Sequence, residues 1–337
     1  MAMSHNNATV YYEDDANLSA LEDRVLAVIG YGNQGRAQAR NLADSGVDDI
    51  IVGNRKDSSW DQAQEDGFDV YTMDEAAGRA DVVFFLIPDE VQPEVYEEQI
   101  EPNLDPGDII NFASGYNISY DFIQPDTDVD VIMVAPRMIG TLVRELFEEG
   151  RGAPAFMAVE QDASGQAQDV ALGIAHGIGA TRSGVIEGDF EMEMVTDLMT
   201  EQALFPVFVH ALMAKYEVER EAGLPAEAVI MEQYLSREMA YIFERAATEG
   251  LIEQLSLHSQ TSQYGQLTGI EAFDGSPIRE YMEEILRQIQ TGEFATEWTL
   301  EQQAGYPTMK KLRKKYSDTE MIETEQATLD KFGLRES

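Results

Sequence analysis

Six residues, Gly30-Tyr31-Gly32-Asn33-Gln34-Gly35, constrain this chain more than any other feature. They follow an apolar run, RVLAVIG at 24–30, that reads as a buried strand. They open a stretch from about Gln34 to Ser45 with helical apolar spacing at Ala37, Leu42 and Ala43. In that setting each glycine has a task. The first allows a tight turn, the second lets backbone approach a pyrophosphate, and the third lets helix and strand pack closely. The helix N-terminus then faces the phosphates.

The alternation continues. Strands are expected at 49–53, 69–71, from Asp81 (DVVFFLIP), at 108–113, at 130–136 and at 155–159, with Ile178–Arg182 leading into a last one. Helical patterns lie between them, near 59–66 and 73–79. Apolar strands separated by amphipathic helices argue for an α/β doubly wound parallel sheet covered on both faces. After about Ile186 the pattern is almost wholly helical, with long segments at Glu191–Tyr216, Ala226–Ala247 and Pro277–Thr291 and with Pro225 just inside a helix start. We therefore read two domains, 1–186 for a dinucleotide and 187–337 all-helical.

The loop after the second strand is Asn54-Arg55-Lys56-Asp57-Ser58-Ser59. An NAD site calls for an acidic residue there to bind ribose hydroxyls. Arg55, Lys56, Ser58 and Ser59 instead suit a 2′-phosphate, so NADP is expected over NAD. Asp57 is the counter-argument. In the helical half, Asp197 and Glu201 stand at i and i+4 on an apolar helix, a spacing that can share a divalent cation.

Composition excludes other classes. The chain has 337 residues, 63 acidic and 23 basic, and a net charge of −40. Direct nucleic-acid binding is disfavoured, because phosphate binding needs a basic surface. With no cysteine there are no disulfides and no thiolate zinc site. The first twenty residues have neither a basic nor an apolar signal region, and the apolar run Val82–Ile87 is too short for a bilayer. A cytoplasmic protein with no membrane partner is expected. Acidic residues spread along the whole chain point to a high-salt cytoplasm, where salt screens self-repulsion. Five basic residues crowd into MKKLRKKY at 309–316. We read them as a solvated face pairing with the acidic surface, with a site for an acidic partner as the alternative.

Taken together, VYYEDDANLSAL, GYGNQGRAQARNLADSGV, FFLIPDEVQPEVY, EEGRGAPAFMAVEQDASGQA, TDLMTEQ, TSQYGQLT and GEFATEW resemble the short-chain ketol-acid reductoisomerases over nearly the whole length. The resemblance implies a Rossmann domain and a helical domain interwoven with its partner in a homodimer or higher homo-oligomer. It implies NADP(H) and two Mg²⁺ ions. It implies alkyl migration in a small-molecule substrate, 2-acetolactate or 2-aceto-2-hydroxybutyrate, and then reduction of the resulting keto acid. Within FFLIPDEVQPEVY, Pro88 and Asp89 join the cofactor set. Asp197 and Glu201 match one metal-binding pair, and Glu238 matches the second Glu of a pair from the partner subunit. Tyr234 stands where the first belongs; a register with Glu232 as the first puts Ser236 on the second, so neither supplies both carboxylates. Ser259 matches a residue that contacts substrate carboxylate.

Two further positions depart from the family. Ser114 replaces a His and Arg137 a Lys, with Met138-Ile139 in place of Gly-Pro. Arginine does not release a proton usefully, and serine is no base unaided. Three readings follow: a diverged paralogue that keeps reduction and has weakened or lost isomerisation, an orthodox reductoisomerase, or a non-catalytic NADP-binding scaffold. The first is preferred.

Overall fold

The computed structural model describes residues 8–335. Residues 1–7, part of the stretch read for a secretory signal, and 336–337 lie outside the described residues. No described helix is long and apolar enough to cross a membrane. The chain divides into two units, Met1–Thr196 and Asp197–Ser337. The division falls within a helix, Phe190–Met199, whose start is anchored in the first unit: Phe190 is buried and meets the Phe112 ring edge-on at 6.2 Å.

Among the described residues the first unit is built on nine strands: β1 (Val10–Tyr11), β2 (Leu26–Ile29), β3 (Ile50–Gly53), β4 (Asp69–Tyr71), β5 (Val82–Phe85), β6 (Ile109–Phe112), β7 (Asp130–Pro136), β8 (Ala155–Gln161) and β9 (Val185–Glu187). Their order is β1-β9-β8-β7-β6-β5-β2-β3-β4. From β4 across to β7 all neighbours are parallel. That is the doubly wound order, with its switch point between β2 and β5. Leu26–Ile29 and Val82–Phe85 are buried on both faces, which explains their unbroken apolar runs. Leu26, Val28 and Phe84 face one apolar layer, and Ala27, Ile29 and Phe85 the other.

The sheet is not wholly parallel. β8 runs antiparallel to β7, and β1 antiparallel to β9. The helix Gly140–Glu148 between β7 and β8 looks in sequence like a parallel crossover, but the chain returns beside β7 in the opposite sense. β1 has two residues and no sequence signal of its own.

The second unit is helical. Phe205–Glu221 continues from a π-helical turn at Thr200–Leu204. The helix expected over 226–247 is broken. Ala226–Ile230, with Pro225 as its N-cap rather than inside it, runs into a π-turn at Met231–Leu235, and a new helix starts at Glu238. Between them Arg237 has φ +64°, a left-handed conformation that ends a helix and is uncommon for a residue with a Cβ. Helices at Gln260–Ala272, Ser276–Gln290, Glu293–Gln303, Pro307–Ser317 and Glu320–Phe332 follow.

Candidate active site

The glycine-rich turn has the geometry its spacing requires. Gly30 directly follows β2 and has φ +95°. A Cβ on Gly35 would lie 1.9 Å from the Gly30 carbonyl oxygen, so only glycine lets the following helix α1 (Asn33–Asp44) seat on the strand. A Cβ on Gly32 would meet no heavy atom within 4 Å, so that face is open to a ligand. Gly32 is the N-cap of α1 and contributes no side chain to it, which leaves the helix start suited to an anion. Asn33 and Gln34 turn their side chains elsewhere: Asn33 donates to Thr141 Oγ1 at 3.2 Å and Gln34 to the Met138 carbonyl at 2.8 Å. Tyr31 is buried, and its hydroxyl donates to Asp66 at 2.8 Å. Burial and that carboxylate push its pKa up, so its part here is structural.

A cleft of about 700 Å³ opens at the ends of β2, β3 and β5. Gly30–Gly32, Arg55, Lys56, Ser59 and Pro88 line it, whereas Ser58 and Asp89 do not. Ser58 is exposed on the first turn of α2 (Ser58–Glu65). Asp57 organises the loop. It accepts from Arg55 Nε at 2.6 Å, from Asn54 Nδ2 at 3.0 Å and from the Ser59 N–H at 2.9 Å, capping α2. The Arg55 guanidinium, followed by backbone N–H groups, holds its carboxyl below the ordinary range. Lys56 lies 5.6 Å from the Trp60 ring.

Deeper in the same unit, Ser114, Arg137 and Asp89 gather with a residue that sequence reasoning missed, Glu193. This carboxylate is buried, with 2% of the residue exposed. Its Oε2 accepts the Gly115 N–H at 2.7 Å, and its Oε1 pairs with Arg137 Nη1. The Arg137 guanidinium also lies over the Phe156 ring at 5.0 Å. Ser114 Oγ donates to Asp89 Oδ2 at 3.3 Å, and Asn117 Nδ2 donates to the Asp89 carbonyl at 3.0 Å. A Cβ on Gly115 would lie 2.2 Å from the Phe190 carbonyl oxygen, so a glycine here lets the Phe190–Met199 helix carry Glu193 this close. Glu193 stands four residues before Asp197, itself four before Glu201. That single stripe was the available signal.

In the second unit Asp197 is half-buried, while Glu201 is exposed in the π-turn at Thr200–Leu204. Glu238 is exposed at the start of its helix, and Ser259 caps Gln260–Ala272 by accepting the Ser262 N–H at 3.3 Å. Among the described residues no group of three or more acidic or histidine side chains is placed to hold a metal ion. Tyr234 lies in the π-turn at Met231–Leu235. Its hydroxyl is bonded to Glu325, beside an apolar cavity of about 510 Å³.

Residues 20–184 match the family model described as the NADPH-binding domain of acetohydroxy acid isomeroreductase, and residues 190–332 match the C-terminal domain of ketol-acid reductoisomerase. A ketol-acid reductoisomerase (NADP(+)) of Methanocaldococcus jannaschii is 45% identical over 90% of this chain and 92% of its own. One of Methanopyrus kandleri is 44% identical over 93% and 95%. Among solved structures, an NADH-preferring ketol-acid reductoisomerase from an uncultured archaeon superimposes with a TM-score of 0.87 at 37% identity, covering 95% of this chain and 98% of that one. A pyrroline-5-carboxylate reductase of Coxiella burnetii, at 16% identity and a TM-score of 0.54 over 80% of this chain and 96% of that one, shares the fold alone.

Proposed function

We propose a reaction for this site from one premise: the chain belongs to the ketol-acid reductoisomerase family. The protein is an NADPH-dependent reductase of a small 2-keto acid in which isomerisation is the weakened step. One observation carries this reading. The Arg137 guanidinium, at a position where the resemblance implies a lysine, is fixed by the buried Glu193. A fixed cation can anchor a carboxylate or polarise a carbonyl, but it holds no proton it can give up near neutral pH. Ser114 likewise offers a hydroxyl rather than an imidazole. Alkyl migration builds charge on two oxygens and depends on such groups more than hydride delivery to a ready-made ketone does.

The donor chemistry of the cleft fits the cofactor. The open face at Gly32 and the start of α1 suit the pyrophosphate, and Arg55, Lys56 and Ser59 line the place for a 2′-phosphate, with Ser58 beside them. For Mg²⁺ this chain supplies Asp197 and Glu201. A third carboxylate, Glu238, would come from a second copy. When bound, the cation would act as a Lewis acid on substrate oxygens. Ser259 would meet the substrate carboxylate.

A homodimer is supported by the helix Gln260–Ala272, which buries none of its own residues and leaves Tyr264 at 72% and Ile270 at 61% exposure. We take the domain boundary near residue 186, in the stretch that neither family model covers. The net charge of −40 supports a cytoplasmic protein of a high-salt cell.

The test follows NADPH oxidation with 2-acetolactate and, separately, with 3-hydroxy-3-methyl-2-oxobutanoate. Turnover of the second alone is expected. Comparable turnover of both would establish the orthodox enzyme instead, the reading favoured by 44–45% identity to relatives that carry that name. No oxidation with either would leave the scaffold.

A further inference from the structure

A second cavity, of about 730 Å³, adjoins the cofactor cleft in the first unit. Glu94, Glu97, Glu98 and Glu101 line it, together with Tyr96 and Phe122. Among the described residues none of these four carboxylates has an ion pair. The local sequence holds no cation to supply one: residues 80–136 contain thirteen Asp and Glu and no Lys, Arg or His. Nor do the cations crowded into the helix Pro307–Ser317 pair as expected with the acidic surface of their own chain. Among the described residues Lys310, Lys311, Arg313, Lys314 and Lys315 make no ion pair, and Lys310 donates to the Gly305 carbonyl instead.

An acidic cluster alone is an ordinary solvated face. Two further features set this one apart. Tyr96 opens a π-helical turn, Tyr96–Ile100, a form concentrated at functional sites. It is 4% exposed, and its hydroxyl has no hydrogen-bond partner among the described residues. Burial first, and then the charge of Glu101, raise its pKa, so the hydroxyl lies on the side of a carboxylate that lines the cavity. A buried hydroxyl without a partner is a cost that a bound donor removes. Phe122 is the other feature. It is 40% exposed and stacks on Tyr116 at 6.0 Å, which gives the cavity a supported aromatic wall. Among the described residues no three carboxylates are close enough together to hold a metal ion. Spread carboxylates, an unmatched hydroxyl and an aromatic face suit an organic ammonium ion, which donates through its N–H groups and lies against rings.

We propose that this cavity binds an organic polyamine and that its occupation tightens cofactor binding. Glu94 and Glu98 carry the coupling, because both also line the cofactor cleft. A phosphate-bearing cofactor shares that cleft with two carboxylates that no cation of the chain neutralises. A polyamine on their other side lowers the repulsion, and by linkage the cofactor tightens the polyamine by the same factor. The coupling rests on the cofactor reading of the cleft, whereas the ligand of the cavity itself does not.

Calorimetry with spermidine at constant ionic strength tests the cavity without any cofactor. One saturable site per chain is expected. Glu97 and Glu101 line this cavity and not the cleft, so Glu97→Gln with Glu101→Gln should weaken spermidine about tenfold or more and leave NADPH alone unchanged. Tyr96→Phe, which removes only the hydroxyl, should weaken spermidine about threefold or more. Saturating spermidine should lower the Kd for NADPH by about fivefold in wild type, and not in Glu94→Gln with Glu98→Gln. Circular dichroism reports whether each variant folds, and Tyr96→Phe decides alone should the glutamine pair at 97 and 101 not fold. No saturable binding by wild type would overturn the site. So would equal binding by wild type and the folded variants, because spermidine would then be held by the acidic surface at large. The same gain in NADPH affinity from KCl at equal ionic strength would overturn the coupling and assign it to screening. Should NADPH not bind at all, the cofactor reading fails, and the spermidine isotherms still decide the site.

Discussion

The backbone N–H of Gly115, just beyond β6, donates to Oε2 of Glu193 at 2.7 Å, while the other oxygen of that carboxylate holds Arg137. One buried side chain thus fixes both the loop that carries Ser114 and the Arg137 guanidinium. Removing one partner of a buried pair leaves the other charge uncompensated, at about 3–5 kcal/mol. Arg137 keeps some solvent access, with 26% of its side chain exposed, so Glu193→Ala should cost about 3 kcal/mol in a denaturant titration. The double change Glu193→Leu with Arg137→Met should cost clearly less than the single one. A single variant within about 1 kcal/mol of wild type would mean that the pair carries little of the stability.

Asp108, at the start of β6, gives a pH prediction of the opposite kind. Burial raises its pKa from 3.8 to about 6, and the charges of Asp105 and Asp81 add to the shift. A carboxyl raised in the folded state favours folding below its unfolded pKa and loses that advantage as pH rises through about 6. Asp108→Asn should therefore stabilise the protein above that pH, by about 1–2 kcal/mol after allowing for its half exposure, and should do little at pH 4. Its amide oxygen can still accept the Asp105 N–H that the carboxylate now takes at 2.7 Å. Equal effects at both pH values would assign the change to packing instead.

The glycine-rich turn was legible for a definite reason. Gly30 and Gly35 are required by local geometry, and Gly32 between them leaves an open face, so their spacing reports the strand, the turn and the helix together. Asp197 and Glu201 were legible from helical period. Glu193 lies on the same period, but nothing in the sequence says that a loop 78 positions away at Gly115 approaches it. The break at Arg237 was not legible at all. A left-handed residue is usually announced by Gly or Asn, and here an arginine takes that conformation inside an apolar helical pattern. The reversal of β8 is set by tertiary pairing with β7, which strand patterns do not encode.

On the proposed reading, cofactor choice rests on Arg55, which Asp57 holds at 2.6 Å. A 2′-phosphate must compete with Asp57 for that guanidinium. Arg55→Ala should raise the Kd for NADPH by roughly tenfold to a hundredfold, the worth of one charge-assisted contact, and leave NADH nearly unchanged. Asp57→Asn should favour NADPH over NADH by removing a like charge. Fluorescence titration of both cofactors at working salt measures this. Equal affinities in wild type would remove the basis for an NADP preference.

Divalent binding should require both elements of the acidic stripe beyond Glu193. Calorimetry with Mn²⁺ should detect a site in wild type that is lost or weakened at least tenfold in Asp197→Asn. Glu238→Gln should weaken it too if a second copy completes the site. Unchanged isotherms for both variants would exclude these residues as ligands.

Arg137→Lys asks whether the cation or its proton matters. Lysine keeps the charge beside Glu193 but loses the planar fork, and it can release a proton that arginine cannot. For a ready-made keto acid the loss of bidentate anchoring should raise KM with little change in kcat. For 2-acetolactate the regained proton donor should raise kcat, so the ratio of the two turnover numbers should shift toward isomerisation by about tenfold or more. A lysine that takes part in proton transfer should also add a limb to the pH–rate profile which the arginine enzyme lacks. Adding Ser114→His to the same chain should shift the ratio further, since an imidazole next to Asp89 can accept a proton where the serine hydroxyl does not. If neither change moves the ratio, and wild type already turns over 2-acetolactate well, then Arg137 is tolerated as a fixed electrostatic anchor. The proton that alkyl migration requires must in that case be handled by groups other than residues 114 and 137.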